Sequence, residues 1–176
     1  MSDRDEIWIF GYGSLLWHPG FAFDAREPAI VQGWHRRFSL RSTLTWGSID
    51  APGIAAALYK GGTCFGAAFR LSAGEEEAGL AYLDQREFGY LRQTVELSLP
   101  AGGGLDALTY VRNPDNPDFL MDPPEEEIVK MIRTGVGFKG SSRAYLERTV
   151  EALDAMRSGP TDAHTLLDRV KAGDTV

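Results

Sequence analysis

The first residues that could carry chemistry lie in a glycine-rich segment near the N-terminus. Positions 10–16 have the sequence FGYGSLL and directly follow a short apolar run. Glycine permits positive φ and a close approach of the backbone to a ligand, and successive exposed N–H groups in such a turn form a concave anion site. A tight turn without any ligand has the same spacing, so the residues alone leave both interpretations open.

Two more specific motifs do not fit this segment. The dinucleotide-binding fingerprint requires a third glycine where Leu16 stands, and a helix that Pro19 and Gly20 would interrupt. The hydrolase elbow GxSxG requires glycines two residues before and two residues after Ser14, where this chain has Tyr12 and Leu16.

Glu87 is the candidate general base. It follows Leu83 by four residues and Leu80 by seven, so a helix that persists this far would carry its carboxylate on the apolar side. Burial raises the pKa of a carboxyl group, and a base that works near neutral pH needs a raised pKa. The alternative is a solvated or arginine-paired residue at the helix end, with Arg86 and Arg92 available as partners.

A second glycine-rich segment, at positions 135–142, has the sequence GVGFKGSS and precedes a predicted helix. It resembles a helix start that binds anions, although it lacks the spacing of a Walker loop. Lys139 could face an anionic substrate there, or the segment could be a flexible connection between helices. Tyr145, in the first turn of the helix, could point to the same place or pack in the core.

Cysteine and histidine usage predicts a protein without a metal site. The chain has one cysteine, Cys64, and three histidines, all far apart in sequence, so no metal-ligand spacing occurs. We expect Cys64 to be a buried strand residue. A lone cysteine cannot form an internal disulfide, and the charged start MSDRDE lacks the apolar run of a signal peptide. Both observations predict a cytoplasmic protein.

Composition excludes several other classes. The chain has 176 residues, which is the length of one domain, and 43% of them are hydrophobic. We therefore expect a single domain over 1–176. Its 25 acidic and 18 basic residues give a net charge of −7, which argues against nucleic acid as a partner. No apolar run approaches the ~18 residues of a membrane span, so we expect no membrane partner.

Strands are predicted to dominate the first two thirds of the chain and helices the last third. Because strand and helix do not alternate, we predict an α+β fold with a mostly antiparallel or mixed sheet, curled into a small barrel. The patterns predict strands at 7–10, 31–41, 54–59, 64–71, 91–99 and 105–111, with the third and fourth joined at Gly61-Gly62, and the fifth facing inward with Leu91, Val95, Leu97 and Leu99. Predicted helices begin near Glu75, after Asp122-Pro123-Pro124, at Ser141 or Ser142, and at Thr161.

Taken together, these segments resemble the ChaC family of γ-glutamylcyclotransferases, which act on glutathione. The resemblance runs in family order from position 7 to about 156. It rests on FGYGSLLWHPGF at 10–21, RRFSLRST at 36–43, CFGAAFRL at 64–71, AYLDQREFGY at 81–90, DNPDFL at 115–120 and, more weakly, GFKGSSRAYL at 137–146.

The resemblance implies a small mixed barrel with flanking helices, no cofactor, and a small γ-glutamyl substrate that loses 5-oxoproline. It implies that Glu87 is the catalytic glutamate and that Tyr145 lies near the substrate. The implied substrate cradle comprises Gly11, Tyr12, Gly13, Ser14, Leu15 and Leu16. Two alternatives remain: a cyclotransferase for another γ-glutamyl amide or amine, and a non-catalytic γ-glutamyl-binding module.

This chain departs from the family pattern at two places. Only Phe88 stands between the glutamate and the Gly-Tyr pair, where the family usually has one residue more. The GPSG-type segment before the last family helix is Gly137-Phe138-Lys139-Gly140 here. Both departures fall where the resemblance places the substrate.

Overall fold

A computed structural model describes residues 6–175 of the chain. Most of the charged N-terminal segment discussed above, positions 1–5, lies outside the described residues. Within residues 6–175, no helix has both the length and the apolar character that crossing a membrane would require.

The described strands form a closed barrel of mixed direction. Around the barrel the strands follow one another in the order 8–11, 53–71, 23–42, 91–98 and 104–111, and the circle closes where Ile9 of the first pairs in parallel with Leu108 of the last. All other pairings in the barrel are antiparallel. The predicted α+β fold with a small mixed barrel is confirmed. The barrel strands are β1 (Trp8–Gly11), β2 (Phe23–Ser42), β3 (Gly53–Leu71), β4 (Leu91–Ser98) and β5 (Gly104–Val111).

Two long strands, β2 and β3, make most of the barrel wall. The prediction of two separate strands joined at Gly61-Gly62 was wrong, because the chain continues in one direction and pairs with β2 on both sides of these glycines. Gly61 and Gly62 have φ of +99° and +69°, and Gly33, near them on β2, has +77°. Glycine adopts such angles without steric cost, so both strands bend here without a reversal of direction.

Fewer residues of β4 are buried than its alternating pattern predicts. Val95 and Leu97 are buried as expected, and Leu99 is partly buried just past the strand, but Leu91 is 46% exposed. β4 pairs with β2 only near its C-terminal end, whereas it pairs with β5 along its whole length. The first half of β4 therefore extends beyond the closed part of the barrel, and Leu91 there is only partly covered.

Helices begin where the predicted capping residues stand. The Ser141 hydroxyl accepts a hydrogen bond from the Ala144 N–H at 3.0 Å, and the Thr161 N–H donates to Nδ1 of His164 at 3.1 Å. Such contacts satisfy N–H groups that a helix start leaves unpaired. The helices are α1 (Glu76–Arg86), α2 (Glu125–Thr134), α3 (Ser142–Ala155) and α4 (Asp162–Lys171), and a two-stranded hairpin, β6 (Val136–Gly137) with β7 (Gly140–Ser141), precedes α3.

Arg36 fastens the barrel to the last helix. It lies on β2 with its side chain buried, and its guanidinium binds both carboxylate oxygens of Asp162 at 3.1 and 3.2 Å. Nη1 also donates to the carbonyl oxygens of Tyr12 at 2.9 Å and Phe65 at 3.2 Å. A buried guanidinium needs such partners to offset its desolvation. Arg36 thereby holds the backbone at Tyr12, the start of the glycine-rich turn.

Candidate active site

A cavity of about 780 Å³ opens at one end of the barrel. Its wall is built from the turn after β1, the loop after β2, the end of α1, the segment after β5 and the β6–β7 hairpin. Residues 12–15, 40–46, 85–90 and 138–139 contribute, together with Tyr145 and polar residues between 113 and 118. Segments far apart in sequence, including most of those that carry the family resemblance, therefore meet around one space.

The glycine-rich turn forms one edge of this cavity. Residues 14–16 make a single 3₁₀ turn, closed by a hydrogen bond from the Leu16 N–H to the Gly13 carbonyl at 3.0 Å. Of the predicted cradle, residues 12–15 line the cavity, whereas Gly11 belongs to β1 and Leu16 is buried in the core. A methyl group on Gly13 would overlap the Tyr145 hydroxyl, so the close approach of these two segments requires glycine there.

Tyr145 projects from the first turns of α3 to the same turn. Its hydroxyl oxygen accepts hydrogen bonds from the N–H groups of Ser14 at 3.3 Å and Ala56 at 3.4 Å. The rings of Trp46 and Trp17 pack edge-on against its ring, with centroids 5.1 and 5.8 Å away. The hydroxyl is therefore fixed in place as an acceptor, and its own hydrogen remains for a further acceptor.

Glu87 is the first residue after α1, and its side chain faces the cavity. Its N–H still donates to the Leu83 carbonyl at 2.8 Å, so the helical geometry reaches Glu87 and aims its side chain to the side of the buried Leu83. The Glu87 side chain is 16% exposed, and burial raises the pKa of its carboxyl group, although the positive charges of Arg86 and Lys139 oppose the rise. Arg86 Nε lies 3.5 Å from Oε1, so the residue is both largely buried and next to an arginine.

Arg86 connects the end of α1 to the glycine-rich turn. Its side chain is 7% exposed. Nη1 donates to the carbonyls of His18 at 2.6 Å and Pro19 at 2.8 Å, and Nη2 donates to Ser14 Oγ at 3.0 Å. The sequence suggested Arg86 only as a partner for Glu87, and its larger role as a link between two walls of the cavity was missed.

Two further tyrosines line the cavity: Tyr12, a member of the predicted cradle, and Tyr90, which was not predicted as a site residue. Tyr12 donates its hydroxyl to the Tyr110 carbonyl at 2.6 Å, and Tyr90 donates to the Ala56 carbonyl at 2.7 Å. Burial raises the pKa of both phenols well above the ordinary value. Both phenols therefore remain protonated near neutral pH. The sequence feature that could have indicated Tyr90 as a cavity residue is its place in the segment 81–90, which also carries Glu87.

The other candidate groups lie outside the cavity. Cys64 is buried in the barrel wall, and burial raises the pKa of its thiol to about 11. His35 contacts the Gly61 carbonyl at 2.8 Å, and Arg92, the second possible partner of Glu87, pairs with Asp84 at 2.9 Å. In the part of the chain from 6 to 175, no three histidine, cysteine or acidic side chains come together as a possible metal site.

This arrangement can move a proton beside a constrained ligand. The cavity wall contains one carboxyl group with a raised pKa, a fixed phenol and a tight backbone turn. None of the described residues that line the cavity is a cysteine or a histidine. Such a site favours a reaction in which the ligand supplies its own nucleophile and the protein supplies orientation and a general base.

Comparison with known proteins identifies the family. The family model described as ChaC-like protein matches residues 7–172. Glutathione-specific gamma-glutamylcyclotransferase 1 of Homo sapiens is 34% identical over 171 residues, which cover 92% of this chain and 76% of that protein. The glutathione-specific gamma-glutamylcyclotransferase of Escherichia coli (strain K12) is 35% identical over 147 residues, 82% of this chain. The match spans 64% of the length of the Escherichia coli protein.

A solved structure has the same fold. The crystal structure of a gamma-glutamyl cyclotransferase specific to glutathione from yeast superposes with a TM-score of 0.87 and covers 95% of this chain and 96% of that chain, at 23% identity. The sequence match extends over nearly the whole of the described barrel and its helices. The chain therefore belongs to the ChaC-like protein family.

Proposed function

We propose that this protein is a γ-glutamylcyclotransferase that cleaves glutathione into 5-oxoproline and Cys-Gly. The observation that carries the proposal is the position of Glu87, a largely buried carboxyl group with a raised pKa in the same cavity as residues 12–15 and Tyr145. The names of the human and Escherichia coli relatives support glutathione as the substrate.

The reaction rearranges bonds within the substrate. The α-amino nitrogen of the γ-glutamyl unit attacks its own γ-carbonyl carbon, and a new C–N bond closes a five-membered lactam. The C–N bond to the cysteine nitrogen breaks, and that nitrogen leaves as the free amine of Cys-Gly. The α-ammonium nitrogen loses two protons as it becomes the lactam N–H, and the leaving nitrogen gains two as it becomes the ammonium group of Cys-Gly. Glu87 accepts a proton from the first nitrogen and returns a proton to the second, the other proton passes through solvent, and no water is consumed.

The protein's main contribution is to bend the substrate. In an extended chain the amino group and the γ-carbonyl do not meet, and holding two reacting groups together can be worth effective molarities of ~10⁵–10⁸ M. We propose that backbone N–H groups of residues 12–15 hold the α-carboxylate, with the hydroxyl of Tyr145 beside them. Gly11 and Leu16, which lie outside the cavity wall, would keep the turn in place.

The environment of Glu87 suits this role. Burial makes the carboxylate a stronger base, while Arg86 at 3.5 Å favours its ionised form. A group with these opposing influences can be ionised in the free enzyme and still accept a proton during the reaction. Proton transfer of this kind contributes typically ~10²–10⁴-fold to a rate.

The proposal treats the chain as one γ-glutamylcyclotransferase-like domain that works in the cytoplasm. Elements from β1 to α3 contribute to the one cavity, which supports a single functional unit. Its lone cysteine, Cys64, is buried in the barrel, as expected where thiols stay reduced.

The test is to incubate the purified protein with glutathione, without added metal, and to quantify 5-oxoproline and Cys-Gly by mass spectrometry. We expect the two products in a 1:1 ratio. A panel of other γ-glutamyl amides and amines assayed in parallel would show whether another substrate is preferred. Binding of glutathione by calorimetry with the ligand intact after long incubation would contradict the proposal and favour a binding module.

A further inference from the structure

The outer part of the cavity differs from its inner end because large apolar side chains are exposed there. Leu44, Phe88 and Phe138 line this space and are 69%, 91% and 70% exposed. Large apolar side chains left open around one cavity indicate a surface that a ligand covers. Lys139 adjoins Phe138 and also lines the cavity, so a positive charge stands beside this apolar rim.

The backbone at Lys139 is held at the cavity edge. The Phe138 N–H donates to the Leu44 carbonyl at 3.0 Å, and the Lys139 N–H donates to the Thr45 carbonyl at 2.9 Å. Gly140 has a φ of +136° and turns the chain back into β7. The β6–β7 hairpin therefore lies against the loop after β2, and the backbone that carries the Lys139 side chain is held in place.

Three cationic side chains line the cavity, and they differ in what they contact. Arg86 is occupied by the turn and by Glu87. Arg41 is exposed next to the segment that carries Asp115 and Asp118, since its N–H donates to the Asp118 carbonyl at 2.8 Å.

Lys139 and Arg41 share one property and differ in another. Among residues 6–175, neither of their charged groups has a carboxylate within 4 Å. Of the two, only Lys139 carries a charge that acts on the Glu87 carboxyl group, so it is the unpaired cation that an anionic ligand held beside Glu87 would meet.

Glutathione carries two carboxylates, one at each end. If the γ-carbonyl lies beside Glu87 and the α-carboxylate beside residues 12–15, the Cys-Gly part must extend towards the cavity mouth. Two extended residues span at most ~7 Å, so the glycine carboxylate would end near the outer rim. Its negative charge would then meet the exposed ammonium group of Lys139.

We infer that Lys139 binds the terminal carboxylate of the leaving Cys-Gly unit and makes the enzyme selective for γ-glutamyl peptides that end in a free carboxylate. The inference rests on the proposed cyclotransferase activity. It assigns a role to one of the two places where this chain departs from the family pattern, the segment 137–140. Lys139 is a specificity residue in this account, because the reacting atoms lie at the other end of the substrate.

The test compares two substrates and four proteins, the unmodified protein and three variants. The substrates are glutathione and its glycine ethyl ester, which lacks the terminal charge but keeps the reacting groups. The assays are run well above the acid limb of the pH profile, where the effect of Lys139 on the pKa of Glu87 does not change the ionisation of that carboxyl group. Lys139→Gln should lower kcat/KM for glutathione by about three- to tenfold, the range of a partly exposed ionic hydrogen bond, and leave the ester within about twofold. Lys139→Arg should retain most of the preference for glutathione. Lys130→Gln removes an equal charge from the exposed face of α2, away from the cavity, and should preserve both values.

The outcomes separate the two proposals. If the unmodified protein releases no 5-oxoproline from either substrate, the proposed function fails. If it turns over both substrates but Lys139→Gln lowers both equally, Lys139 acts on a shared part of the substrate, such as the α-carboxylate, and the inference is overturned. Unchanged kinetics of Lys139→Gln on glutathione would overturn it as well.

Discussion

The contact between Gly13 and Tyr145 gives the sharpest prediction on the geometry of the site. A methyl group on Gly13 would overlap the Tyr145 hydroxyl, whereas the next nearest atoms, Tyr145 Cζ and Ala56 Cβ, would lie at 3.4 and 3.5 Å. The double-mutant comparison isolates this contact, because any effect of Gly13→Ala on the backbone at φ −134° and ψ −124° is the same with either residue at position 145.

The magnitudes follow from this geometry. Overpacking in a close-packed region costs about 1–3 kcal/mol, which lowers Tm by about 2–4 °C per kcal/mol in a chain of this size. Tyr145→Phe removes the acceptor of two long hydrogen bonds, at 3.3 and 3.4 Å, and should cost roughly 1–2 kcal/mol. In the Tyr145→Phe background, Gly13→Ala should cost less than about 1 kcal/mol, because the overlapping atom is gone.

The assay is a double-mutant cycle by urea unfolding, with Gly79→Ala as the matched control. Gly79 lies in α1, where an added methyl would meet only the side chain of Leu71 at 3.2 and 3.3 Å, and its effect should be the same in both backgrounds. We expect a coupling of about 1–2 kcal/mol between Gly13→Ala and Tyr145→Phe. Equal costs of Gly13→Ala in the two backgrounds would refute the proposed contact.

The remaining predictions concern charge and reactivity. Because burial raises the pKa of Glu87 above the usual 4.5, kcat/KM should fall on the acid side with an apparent pKa above 4.5; a limb at or below that value would contradict the burial. For the same reason, protonated Glu87 stabilises the folded wild-type protein below pH 4.5, and this stability is lost as the pH rises through the folded pKa of Glu87. Glu87→Gln should therefore be at least as stable as wild type at pH 7, as measured by urea titration. Arg86→Met should lose roughly 2–4 kcal/mol of stability with the four hydrogen bonds of its side chain. It should also move the acid limb to higher pH, with Arg86→Lys restoring part of that shift; an unmoved limb would argue against the proximity of Arg86 and Glu87. Cys64, buried and with a pKa of about 11, should resist iodoacetamide at pH 7.5 until the protein is unfolded, as followed by mass spectrometry.

Local sequence patterns predicted much of the fold. Ser141 and Thr161 were expected to begin helices because their hydroxyls suit that position, and both do. The bend at Gly61-Gly62 was predicted as a turn between two strands, since local sequence shows that glycines permit positive φ but does not show which strand pairs on each side. Pairing of both halves with β2 is a long-range property.

The candidate site could likewise be predicted from the sequence only in part. The spacing of Glu87 from Leu83 predicted its direction, because a helix repeats every three to four residues. The burial of Arg36 could have been predicted, since it lies on the same face of β2 as Trp34 and Phe38 and all three are buried. The links from Arg86 to His18, Pro19 and Ser14 join segments about 70 residues apart, and no local pattern encodes which carbonyls a buried guanidinium will meet.

The most direct test of the central claim is a paired measurement on wild type and Glu87→Gln. Each protein is titrated with glutathione by calorimetry at low temperature and then assayed for 5-oxoproline under saturating substrate. We expect similar affinities and matching circular dichroism spectra, with 5-oxoproline formation lost in the variant. Turnover by Glu87→Gln at the wild-type rate would show that the carboxylate moves no proton in the reaction, and the account of this site would be wrong.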